Sequence, residues 1–226
     1  LRIIGQEGEF ADYTDIISSI QELAQDPSCV GIMPQLPLPK AFSAHTMEIF
    51  DALPLSKDID GLSSGFLWSY INEQIDFLGA TPQAVFMLLE EYGYSDLAGK
   101  DVVIIGQSNL LGKPLALWAM RRGASIMSFN SHSNRSSLQR ACLQADIVIS
   151  ATGVVHLLDE SYFRDDASQV AIDVGRGKKD NQATGDIDFT HLDKRLASYT
   201  PVPGGVGPLT IANLLNNVKN LYNRYK

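Results

Sequence analysis

Apolar and polar positions follow two rhythms along the chain, and the change between them near residue 100 divides it. Residues 2–5 read as a short strand. Over 13–24 the apolar residues Ile16, Ile17, Ile20, Leu23 and Ala24 recur at helical spacing. Residues 29–34 form a continuous apolar run, a candidate buried strand stopped by the Pro-rich QLPLP. The stretch 45–53 reads as a helix. Thr81 followed by Pro82 offers an N-cap and a proline at the first helical position, and the run to Tyr94 is apolar on one face. Beyond Lys100, short β-branched runs at 102–105, 124–129, 146–151, 169–174 and 199–202 alternate with helical stretches ending at Arg122 and covering 136–144. Such alternation predicts a parallel sheet with helices on both faces. A long helix over 208–225 closes the chain, and no internal repeat or flexible linker interrupts it.

At 226 residues the chain can bury one large core or two small ones, and 45% hydrophobic with 19% charged residues is an ordinary globular balance. A net charge of −8 excludes nucleic acid as a natural partner but allows a small anionic ligand held by main-chain N–H groups. Cys29 and Cys142 form neither a disulfide framework nor a metal site, which points to a reducing, cytoplasmic compartment. His45, His132, His156 and His191 are scattered and form no metal set. No apolar run approaches the roughly 18 residues of a membrane span, and no signal peptide is present. The first residue is Leu1 and not Met, so the translated N-terminus is expected to lie further upstream.

The candidate chemistry sits in loops. In TPVPGGVGPLTIANLL (200–215) two prolines stiffen the approach to Gly204, Gly205 and Gly207, and Pro208 opens an amphipathic run. Nearly bare backbone of this kind lets a flat or charged ligand approach main-chain N–H groups. The strand at 102–105 runs into GQSNLLG (106–112), a G-x-S-x-x-x-G variant of the dinucleotide turn. Gly106 permits the tight turn, Gly112 allows close packing, and helix N–H groups from Gly112 onward face a pyrophosphate. Thr152-Gly153 and Asp173-Val174-Gly175 end the next two central strands, where open α/β sheets place ligands. Asp173 reads equally well as a turn carboxylate.

Taken with GIMPQLPLP (31–39), KDIDG (57–61), VVIIGQSNLLGKPLA (102–116), QVAIDVG (169–175) and GDIDF (185–189), the C-terminal loop resembles the bifunctional methylenetetrahydrofolate dehydrogenase/cyclohydrolase family. The matches keep the family's order and cover almost the whole chain. The resemblance implies two α/β domains flanking a cleft. Residues 1–82 with 208–226 would form the folate-binding, catalytic domain, and 83–207 a Rossmann-type NAD(P)-binding domain with a parallel sheet. It further implies a cytoplasmic homodimer that oxidises 5,10-methylenetetrahydrofolate to the methenyl form with NADP and hydrolyses that to 10-formyltetrahydrofolate. Shikimate-type dehydrogenases, also two-domain, lack both QLPLP and PGGVGP.

By the same resemblance Gly106, Gln107, Ser108, Gly112, Lys113, Ser131, Thr152, Gly153, Asp173 and Gly175 bind the dinucleotide. The family often carries arginine at the Gln107 position and His-Ser-Lys where this chain reads Asn130-Ser131-His132. Ser131, Ser133 and Arg135 stand near enough to help with a 2′-phosphate, and NAD stays open beside NADP. Asp60, the second aspartate of KDIDG, accepts two pterin N–H groups in a fork; Asp58 is the structural one and Lys57 an ion pair or surface lysine. Gln35 supports a catalytic amine, Leu36 and Pro37 hold it, and Pro203, Gly204 and Gly205 line the folate. Gln35 and Asp60 carry the catalytic roles left to this chain. The family's general base, a lysine paired with a tyrosine one turn before it, lies upstream of Leu1, so the chain as it stands is expected to be catalytically incomplete. The alternative is a non-catalytic folate- or nucleotide-binding remnant. No metal is implied.

Overall fold

The computed structural model describes residues 10–226 apart from 180 and 193, so the strand expected over 2–5 lies outside the described residues. The chain forms two compact units, Leu1–Ala80 with Ala212–Lys226, and Thr81–Ile211.

In the first unit helix α1, Tyr13–Gln25, starts on a capping box. Asp12 accepts the Thr14 N–H at 2.9 Å, and Asp15 accepts the Asp12 N–H at 3.0 Å. The strand expected over 29–34 reduces to one parallel bridge between Ile32 and Asp58, with Val30 and Met33 exposed. Strand pairing needs a partner along its whole length, and among the described residues only the short Lys57–Asp58 turn supplies one. A 3₁₀ turn, Lys40–His45, takes the start of the helix expected at 45–53 and leaves α2, Thr46–Asp51. Helix α3, Ser64–Ile71, has no counterpart in the sequence reading, because Gly65 and a nearly uniform apolar run hide its period. Ser63 caps it by accepting the Phe66 N–H at 3.2 Å, and Phe66 meets Phe77 edge-to-face at 5.5 Å in the core.

Helix α4, Ala80–Glu91, opens the second unit one residue before Thr81, which therefore lies inside the first turn and does not cap it. Strands β1 (Asp101–Ile105), β2 (Ser125–Phe129), β3 (Ile147–Ser150) and β4 (Gln169–Asp173) alternate with α5 (Gly112–Arg121) and α6 (Arg135–Gln144). A short antiparallel hairpin, β5 (Gly177–Lys179) and β6 (Gln182–Thr184), follows β4. Strand β7 (Leu196–Tyr199) completes a parallel sheet of order β2-β1-β3-β4-β7. It starts earlier than the expected 199–202 segment and shares only Tyr199 with it, because Pro201 and Pro203 have no N–H to give the ladder.

Burial follows position in the sheet. The central β3 and β4 are buried throughout, whereas the edge strand β2 has only half-buried and exposed residues. Right-handed crossovers place α5 and α6 on opposite faces, as β1→β2 and β2→β3 run in opposite directions across the sheet. Val103, Ile105, Val148 and Ala171 form one buried cluster with Leu138, Ala141 and Cys142 of α6. Burial pushes the Cys142 thiol up to about 12, which leaves it an inert packing group. Helix α7, Val206–Tyr225, starts in the second unit and ends in the first.

Candidate functional site

Because all five strands run parallel, every strand-end loop of the second unit opens on one sheet edge. The order β2-β1-β3 puts the topological switch point between β1 and β3, where open α/β sheets bind ligands. The turn after β1 is shaped by two mutually dependent glycines. Gly106 has φ +110°, and a Cβ there would lie 2.4 Å from the Ala151 carbonyl oxygen. A Cβ on Gly112 would lie 1.8 Å from the Gly106 oxygen. Backbone thus crosses backbone with no space for a side chain, leaving a concave main-chain cradle at the α5 N-terminus.

No side chain caps α5. The Lys113 N–H returns to the Ser108 carbonyl at 3.1 Å and Pro114 has none, so Gly112, and not a longer row of N–H groups, presents the helix terminus. Ser108 Oγ accepts the Leu111 N–H at 3.2 Å, and Lys113 Nζ donates to Asn109 Oδ1 at 2.6 Å on the exposed side.

A chain of contacts runs along this edge from β2 to β7. Gln107 donates to Ser128 Oγ at 3.1 Å and accepts from Asn130 Nδ2 at 2.8 Å, so its amide is fixed between β1 and β2. Ser131 is exposed beside it. Ser133 is turned inward and accepts the Asn130 N–H at 2.9 Å, while Arg135 Nε donates to Tyr162 Oη at 2.8 Å. Both therefore have local partners and are less available to a 2′-phosphate than their positions in the sequence imply.

Beyond the switch point the acids dominate. Asp173 is buried and accepts N–H groups from Gly175 at 2.9 Å, Asp186 at 3.1 Å and Ile187 at 2.8 Å. Burial first, and then the charge of Asp186, raise Asp173 to about 6 against these donors. It holds the turn together, and Gly175 is enclosed with it. The Thr200 hydroxyl receives the Asp173 N–H at 2.8 Å and ties β4 to the end of β7. Pro203, Gly204 and Gly205 follow on that edge, with the Gly205 N–H returning to the Pro201 carbonyl at 2.9 Å.

In the first unit KDIDG is anchored from both sides. Lys57 forms no ion pair among the described residues and is not a free surface lysine: its Nζ donates to the carbonyls of Leu23, Ala24 and Asp26 at 3.0, 2.8 and 2.8 Å, closing the C-terminus of α1. Asp58 is fully buried and accepts from Leu62 N–H at 3.0 Å, Ser63 N–H at 2.8 Å and Ser63 Oγ at 2.6 Å. Asn217 of α7 donates to the Ile59 and Leu78 carbonyls at 3.0 and 2.9 Å.

Between these anchors Asp60 stands partly exposed. Its Oδ1 accepts the Ala80 N–H at 3.2 Å, the first of α4. Desolvation raises its carboxyl to about 6; the Ala80 N–H opposes that shift and the charge of Asp58 adds to it. Oδ2 has no hydrogen-bond partner among the described residues, so one oxygen is held by the fold and the other is not. Gln35 is exposed, and its Nε2 donates to the Leu36 carbonyl at 2.9 Å, ahead of a cis Leu36–Pro37 bond.

Gln35 and Asp60 thus belong to the first unit, and the dinucleotide candidates with Pro203–Gly205 to the second. Asp186, Thr200 and Asn217 escaped the sequence reading. Asp186 lies inside GDIDF, where it alternates with Asp188 and nothing local separates the roles of the two acids. Among the described residues no group of His, Cys, Asp and Glu is arranged to hold a metal, and no helix is long and apolar enough to cross a membrane.

A profile of the tetrahydrofolate dehydrogenase/cyclohydrolase NAD(P)-binding domain matches residues 79–226. The bifunctional protein FolD of Sulfurihydrogenibium sp. is 39% identical over 214 residues, which cover 93% of this chain and 72% of the relative. The crystal structure of the bifunctional FolD dehydrogenase/cyclohydrolase from Campylobacter jejuni matches at TM-score 0.84 and 36% identity, covering 94% of this chain and 74% of that one. The Trypanosoma brucei enzyme, solved with NADP cofactor and inhibitor, matches at TM-score 0.85 and 27% identity over 95% of this chain and 73% of that one. A glycine cradle at the switch point of a parallel sheet, an anchored KDIDG and a sequence match over 93% of the chain have one common source: the chain belongs to the tetrahydrofolate dehydrogenase/cyclohydrolase family.

Proposed function

We propose that this protein oxidises 5,10-methylenetetrahydrofolate to 5,10-methenyltetrahydrofolate with NADP and hydrolyses the product to 10-formyltetrahydrofolate. The observation that carries the reading is the anchoring of KDIDG, which leaves a single half-exposed carboxylate, Asp60, with one oxygen available. A pterin presents neighbouring N–H donors, and a carboxylate with a fixed orientation is their natural acceptor. We assign the first unit to the folate and the second to the dinucleotide.

The Gly106–Gly112 cradle fits a pyrophosphate, since close backbone approach and an uncapped helix N-terminus are what such a group needs. Gly106, Ser108, Gly112 and Lys113 would hold that part, Gln107 and Ser131 the adenosine ribose, and Thr152, Gly153, Asp173 and Gly175 the far end. When bound, NADP supplies the hydride acceptor. Gln107 offers the 2′-phosphate a neutral amide, so the preference over NAD rests on hydroxyl and N–H donors. In the first unit Asp60 orients the pterin, with Gln35 and the Leu36–Pro37 turn beside the reacting end. Assembly as a homodimer and a cytoplasmic setting belong to the same proposal.

Reduction of NADP followed at 340 nm tests it. A rise dependent on methylenetetrahydrofolate is expected of the protein carrying the family's lysine base, and Asp60→Ala should abolish it while changing NADP affinity less than about twofold. Full turnover by Asp60→Ala, or equal loss of both ligands, contradicts the assignment.

A further inference from the structure

We propose that Asp186 is a positioning residue of the cofactor site, holding the Thr152-Gly153 turn at the end of β3 in the form that meets the nicotinamide half of the dinucleotide. The proposal rests on the NADP reading above. In a doubly wound sheet the pyrophosphate marks the switch point, so the second nucleotide lies over the strands beyond it, here β3 and β4. Of the two acids at that end, Asp173 is taken up by the backbone N–H groups of Gly175, Asp186 and Ile187. Asp186 is the one that reaches β3.

Its Oδ2 accepts three donors: Ser150 Oγ at 2.8 Å, Thr152 N–H at 2.7 Å and Thr152 Oγ1 at 2.8 Å. With its proton directed at Asp186, the Thr152 hydroxyl uses a lone pair to accept the Val154 N–H at 3.1 Å. Both sides of Gly153 are thereby pinned, and Gly153 itself stands exposed at φ +72° with open space around its Cα. One carboxylate oxygen fixes a turn whose bare apex is left for a ligand.

Two further observations show that the arrangement is built into the fold. Asp186 is fully buried, and its Oδ1 has no hydrogen-bond partner among the described residues, a costly state that a purely structural carboxylate would avoid. The surrounding glycines are also reciprocal. A Cβ on Gly175 would lie 1.9 Å from Asp186 Oδ1, and one on Gly185 would lie 2.0 Å from Asp173 Oδ2. Each aspartate occupies the side-chain space of the glycine following or preceding the other. The charge of Asp186 also contributes to the upward shift of Asp173.

The test uses the full chain and two separate readouts, NADPH fluorescence for the dinucleotide and quenching by a folate analogue for the pterin. Asp186→Asn should weaken NADPH about tenfold or more and leave the folate analogue within about twofold. Thr152→Val should reproduce the loss, and Thr152→Ser should restore binding. The double variant D186N/T152V should bind no more weakly than the worse single one, because both cut the same link. If Asp186→Asn fails to fold, the Thr152 pair decides alone: T152V weakened with T152S normal supports the proposal. NADPH binding unchanged in Asp186→Asn overturns it, as do losses that multiply in the double variant or a T152S as weak as T152V. A wild-type chain that fails to bind NADPH removes the functional reading and this proposal with it.

Discussion

Asp60 meets two opposed demands. Recognition of pterin N–H groups requires an ionised carboxylate, whereas its half-buried setting disfavours the charge and raises the carboxyl from 3.8 to about 6. The folded state therefore keeps a proton that the unfolded chain releases, and stability falls as pH rises from about 4 through about 6. Asp60→Asn removes the ionised group but can still accept the Ala80 N–H. It should raise the unfolding free energy at pH 7.5 by up to about 2 kcal/mol, with the gain vanishing near pH 4. Pterin affinity should fall by about 100-fold in the same variant. Chemical denaturation at the two pH values, with a folate-analogue titration, checks both signs; a variant less stable than wild type at pH 7.5 contradicts the account. Asp60 was legible in the sequence because its motif is local. Asp186 and Asn217 were not, since they act on partners 34 and 158 residues away, and nothing in their own neighbourhood announces those partners.

At the scale of elements, KDIDG matters less as a turn than as a junction. Lys57 closes α1, Asp58 anchors the start of α3 through Leu62 and Ser63, and Asp60 meets the first N–H of α4. Lys57→Met keeps the aliphatic stem and deletes three charge-assisted hydrogen bonds. It should cost about 1–3 kcal/mol, speed amide exchange in the last turn of α1, and weaken the folate analogue without changing NADPH affinity. Hydrogen exchange followed by mass spectrometry reads the first two effects, and unchanged protection at the α1 C-terminus counts against the junction. Periodicity located the β1–β4 elements and the helices between them, because a parallel sheet buried on both faces writes long apolar runs. It misplaced β7, whose end is set by prolines and by Thr200 binding Asp173. It also missed α3, where Gly65 and uniform hydrophobicity leave no helical stripe to see.

For the whole molecule, the −8 net charge and a phosphate-bearing cofactor are reconciled by geometry. The cradle between Gly106 and Gly112 binds anions through backbone and a helix terminus, which need no net positive charge. The five parallel strands gather residues from 106 to 205 of the second unit on one edge, braced by Gln107 with Ser128 and Asn130 on one side and by Thr152, Asp186, Asp173 and Thr200 on the other. The most direct test of this account is a fluorescence titration of the full chain with NADPH, run beside Gly112→Ala. A saturable one-to-one isotherm is predicted, lost in the variant because its new Cβ must displace the Gly106 carbonyl. Absence of binding in the wild type, or an isotherm that Gly112→Ala leaves unchanged, would place the dinucleotide site elsewhere and contradict the account.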